Sequence, residues 1–121
     1  MFGPTGGTPG VSGGGGSGGG VSNTTLAGTW ENVLVYEFDN DITRLTTRWR
    51  FEVSGACLKT TTTESLIEAI PRTSTRPCTY RVGAAEIVVT YLDVAETVRM
   101  TAFMPDPTVL RLDGIEYNRL L

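Results

Sequence analysis

Leu45-Thr46-Thr47-Arg48-Trp49-Arg50-Phe51-Glu52-Val53 is the stretch on which the fold turns. Arg48, Arg50 and Glu52 alternate with Trp49, Phe51 and Val53, a period of two that puts charge on one face of a strand and bulk on the other. Ser54-Gly55 then supplies a tight turn. The same pattern repeats downstream. Ile87, Val89 and Tyr91 oppose Glu86; Val98, Met100, Ala102 and Met104 oppose Arg99; Leu110 and Leu112 flank Arg111. Working outward, the sequence reads as eight strands over residues 27–38, 45–53, 56–63, 78–82, 85–92, 96–104, 108–112 and 115–120, with turn residues between them.

Most of these connections are too short for a crossover, so successive strands are antiparallel neighbours. Each strand has one apolar face, and no amphipathic helix is available to cover a flat sheet. The expectation is an all-β fold: an eight-stranded antiparallel up-and-down barrel, whose closure also removes the sheet edges. Residues 64–77 form the one longer excursion, in which 65–70 fit a turn or two of helix before Pro71. Residues 37–41 carry Glu37, Asp39 and Asp41 and read as a solvated loop. Thr60, Thr61, Thr62 and Thr63 read as strand text with outward hydroxyls.

The composition limits the chemistry. The chain has 121 residues, no histidine, two cysteines and a net charge of −3. A histidine-based triad, a His-based zinc site and a four-cysteine zinc site are excluded within one chain. Neither a metal nor a cofactor is expected, and no enzymatic role: Asp93 with Glu96, and Glu116 beside Tyr117, are carboxylate pairings without a distinguishing motif. An acidic chain is a poor partner for nucleic acid. Arg48, Arg50, Arg81 and Arg99 read as the wet face of a sheet. Eleven of the 15 glycines precede Val21, so residues 1–22 read as a flexible Gly/Ser-rich linker, natural or artificial, and 23–121 as the folded domain.

Gly28-Thr29-Trp30 opens the first strand, and Tyr117-Asn118-Arg119 lies in the last. With this Gly-x-Trp and this late arginine the chain resembles the lipocalins and the wider calycin superfamily, over residues 26–119. The resemblance implies that Trp30 lies across a closed base with Arg119 packed over it, and that Gly28, Trp30 and Arg119 are structural. The chain is shorter than full lipocalins and is closer to small lipocalin-like domains of bacterial envelope lipoproteins. That implies an extracytoplasmic monomer reaching a membrane only through an N-terminal lipid anchor that this sequence does not carry.

Cys57 and Cys78 stand 78 − 57 = 21 positions apart. They are either a bridge, worth roughly 3 kcal/mol by loop entropy and requiring an oxidising compartment, or two buried free thiols. Tyr36, Trp49, Phe51, Tyr91, Met100 and Met104 share inward parity. They are the candidate wall for a small hydrophobic ligand at the barrel mouth, and equally what a barrel needs to fill itself. A filled barrel would instead serve as an envelope module that contacts a protein partner.

Overall fold

The computed structural model describes residues 20–67 and 70–120. One helical turn, α1 (Asn23–Leu26), precedes eight strands: β1 (Gly28–Phe38), β2 (Asp41–Phe51), β3 (Ala56–Ser65), β4 (Arg72–Gly83), β5 (Glu86–Tyr91), β6 (Glu96–Asp106), β7 (Val109–Leu112) and β8 (Ile115–Leu120). Each pairs antiparallel with its successor, and β8 returns to β1, closing the barrel. Three register pairs, Thr29 with Leu120, Trp30 with Arg119 and Glu31 with Asn118, make that closing seam.

The up-and-down order sorts the turns to two ends. The base carries α1 and the turns at 52–55, 84–85 and 107–108; the mouth carries those at 39–40, 92–95 and 113–114, with the end of β3 and the start of β4. Alternation fills the interior toward the base with Leu26, Trp30, Phe51, Tyr80, Ile87, Val89, Leu110 and Tyr117, all buried. Trp49 and Phe51 stack with ring centroids 5.5 Å apart, and Tyr80 meets Phe51 edge-on at 5.0 Å. The lower barrel is a packed core.

Several boundaries differ from the sequence reading. β2 starts at Asp41, four residues earlier than expected, and β1 runs through Glu37 and Phe38, so the expected acidic loop is a two-residue turn. Asp39 and Asn40 both take positive φ, 55° and 67°, which Asp and Asn tolerate and which suits the twist of a tight hairpin. β3 and β4 likewise extend to Ser65 and from Arg72, shrinking the long excursion to 66–71. Part of the expected helical turn, residues 68 and 69, lies outside the described residues; Leu66, Ile67 and Ile70 are bends. Thr61 and Thr63 face inward, because register and alternation put them on the face of buried Cys57. Only Thr60 and Thr62 of that run point out.

The linker reading for residues 1–19 falls outside the described residues. Its last two residues do not fit it: Val21 packs against the core, and Ser22 caps α1 by accepting from the Thr25 amide. The base is thus plugged by a segment that glycine-rich composition had masked.

Cys57 and Cys78 are directly opposed across β3 and β4, both buried, and joined by a disulfide. The bridge is compatible with an extracytoplasmic location.

Candidate functional site

At the mouth the strands do not end together. β8 accompanies β1 only to Glu31, and β5 accompanies β4 only from Cys78. Residues 32–38 of β1, 41–48 of β2, 58–65 of β3 and 72–77 of β4 therefore run past the closed barrel as a four-stranded ribbon. Its inner face continues the barrel interior and is chemically divided. On β1 and β2 it carries Leu34 and Leu45, which are register partners, and Tyr36. On β3 and β4 it carries Thr61 opposite Ser74 and Lys59 opposite Arg76.

Leu34 is 52% exposed and Tyr36 48%. Beneath them Trp49 and Tyr91 are 1% and 5% exposed, with ring centroids 6.4 Å apart, and form the floor where ribbon becomes barrel. Both rings carry a cation. Lys59 Nζ lies 5.2 Å from the Trp49 ring centroid, and Arg76 Cζ 3.8 Å from that of Tyr91. Trp49 Nε1 is buried with no hydrogen-bond partner among the described residues.

The two cations differ in their company. Arg76 donates from Nε to Asp93 at 3.1 Å and from Nη2 at 3.3 Å, and Glu96 lies 3.8 Å away. These contacts hold the Asp93 carboxyl below the ordinary carboxylate range, mainly through the Arg76 hydrogen bond. Lys59 has no ion pair among the described residues. Burial pushes its ammonium pKa down, and the nearby Arg76 charge pushes the same way. Burial also raises the Tyr91 phenol, against an opposing effect of Arg76.

Of the six candidate wall residues, Trp49, Phe51 and Tyr91 come together. Phe51 is nevertheless 1% exposed and sealed in the core between Trp49 and Tyr80. Met104 is a buried core residue, and Met100 is partly buried against that core. Tyr36 lies out on the ribbon. Parity reasoning missed Leu34, Leu45 and Lys59, since parity does not reveal that four strands overrun the other four. One signal was available: Lys59 is the only lysine in a chain whose other nine basic residues are arginine.

Two of the four outward arginines are committed to ion pairs. Arg48 pairs with Glu31 at 2.7 Å and Arg99 with Glu86 at 3.5 Å. Asp41 accepts from Ser65 Oγ at 2.8 and 2.9 Å, tying the β1–β2 turn to the end of β3.

The base is built differently. Arg119 Cζ lies 4.2 Å from the Trp30 ring centroid. Its guanidinium donates to Ala27 O at 2.7 Å, Thr25 O at 2.7 Å and Pro107 O at 2.9 Å. Trp30 Nε1 donates to Leu26 O at 2.9 Å. The indole and the guanidinium bind the plug to the seam.

The chain was compared with protein-family models, with curated proteins and with solved structures. It matches none of them.

Proposed function

We propose that this protein is a non-catalytic, lipocalin-like binding barrel that takes a small hydrophobic molecule at its mouth. The observation that carries this reading is the overrun of β1 to β4, which leaves the apolar half of the ribbon's inner face, Leu34, Leu45 and Tyr36, continuous with the core but exposed. A guest there would remove apolar area from water at about 25 cal/mol per Å², without disturbing the packed base. Its location is extracytoplasmic, as a domain tethered by its N-terminal segment in the manner of an envelope lipoprotein; the disulfide and the Trp30–Arg119 stack support that kinship.

The uncharged fluorophore N-phenyl-1-naphthylamine tests the reading. Saturable one-to-one fluorescence enhancement is expected, and Leu34→Glu should weaken it at least tenfold. Absence of saturable binding to the native protein would overturn it.

A second reading, an envelope module with a filled barrel that binds a protein, is favoured by a different observation. The register pairing of β8 with β1 stops at Glu31, beyond which Asn32 reaches the Glu116 carbonyl of β8 only through its side chain, and Val33 and Val35 are exposed on the outer face. Such an edge accepts an extended segment of a partner protein by main-chain pairing. A native protein that fails to bind the fluorophore directs attention to this edge.

A further inference from the structure

An inward-facing ammonium without a counter-ion is unfavourable, because it gives up hydration and gains no opposite charge in return. Lys59 is in that position. Its register partner on one side is Trp49 and on the other Arg76, and the carboxylates that approach this part of the mouth, Asp93 and Glu96, are taken up by Arg76. The next rows toward solvent on the same face hold Asn32, Thr47, Thr61 and Ser74, then Leu34 and Leu45 on β1 and β2 with Thr63 and Arg72 on β3 and β4. A cation therefore stands at the inner end of this face, polar side chains follow it, and an apolar side formed by Leu34, Leu45 and Tyr36 runs outward on β1 and β2.

We infer that the mouth takes an amphipathic anion, which enters headgroup first, pairs its negative group with Lys59 and lays its apolar body on Leu34, Leu45 and Tyr36. This rests on the mouth-binding reading above and adds the charge of the ligand. The headgroup chemistry is that of a carboxylate, sulfonate or phosphate, each able to accept from the ammonium and from neighbouring hydroxyls. With a net charge of −3 the chain as a whole repels anions, so a preference for one must originate locally.

Two fluorophores that differ by a single sulfonate test it: 8-anilinonaphthalene-1-sulfonate and the uncharged N-phenyl-1-naphthylamine. At neutral pH the native protein is expected to bind the sulfonate at least tenfold more tightly. The ratio should fall to near one in Lys59→Met and survive in Lys59→Arg, with far-ultraviolet circular dichroism and the intact disulfide reporting that each variant folds. Equal affinities in the native protein, or a preference that persists in Lys59→Met, would overturn the inference while leaving mouth binding in place. Binding of neither fluorophore would overturn both.

Discussion

Arg119 and Trp30 are register partners across the seam that closes the barrel, and the guanidinium carbon sits 4.2 Å from the indole centroid. The same guanidinium reaches three backbone carbonyls, two from the N-terminal plug and one from the β6–β7 turn. One side chain thus joins the first strand, the last strand and the plug.

Arg119→Ala removes three charge-assisted hydrogen bonds and the stack. A loss of about 3 kcal/mol is expected, a fall of roughly 12–20 °C in Tm for a domain of this size. Arg119→Lys should recover only part of it, because an ammonium cannot span the three carbonyls in one plane. Thermal unfolding followed by circular dichroism measures both.

Gly28 has φ +132°, and a Cβ there would stand 2.8 Å from Arg119 Nη1. Gly28→Ala therefore strains the backbone and pushes on a guanidinium that three carbonyls hold in place. A cost of about 2 kcal/mol is expected from equilibrium denaturation. In the Arg119→Ala background the cost should shrink, since the steric part disappears.

The Cys57–Cys78 disulfide joins residues 21 apart. Replacing both with serine should cost roughly 3 kcal/mol by the loop-entropy relation. Neither sulfur is a free thiol, so alkylation of the unreduced protein should add no mass even in denaturant.

Burial raises the phenol pKa of Tyr80, Tyr91 and Tyr117 above the ordinary value of about 10. In the unfolded chain these groups lose their protons first. Their contribution to stability is therefore complete below about pH 10 and is lost as pH rises through the elevated folded values. Phenolate absorbance should show these tyrosines titrating late and together with alkaline unfolding.

Lys59 has the opposite bearing on stability. Its folded pKa is lowered, so the unfolded state binds the proton more tightly and the charge weakens the fold at neutral pH. Lys59→Met is expected to keep or raise stability even as it removes the anion preference. Chemical denaturation separates this from a structural role, in which the substitution would destabilise.

Much of the architecture could be read from alternation alone. Arg48-Trp49-Arg50-Phe51 assigned its two faces correctly, and Gly28-Thr29-Trp30 with Arg119 located the seam, because neighbouring chain ends in an up-and-down barrel are a topological necessity. The strand ends were harder to read. Thr43, Thr61, Thr63 and Ser74 face inward yet are polar, since the ribbon that carries them has left the core, and polar text there imitates loop. The mouth site was hidden for the same reason. Leu34 and Lys59 have unremarkable parity, and their meaning depends on which neighbouring strands stop short. That depends on register, which a single strand's pattern does not encode. The plug was missed because Val21 and Leu26 border a glycine-rich run whose composition dominates the local signal.

Amide chemical shifts recorded during titration with N-phenyl-1-naphthylamine test mouth binding most directly. Saturable shifts concentrated at residues 32–36 and 43–49, with the amides of Leu26, Trp30 and Arg119 unmoved, are the expected result. Shifts centred on the base, or no saturable shifts at all, would contradict the account.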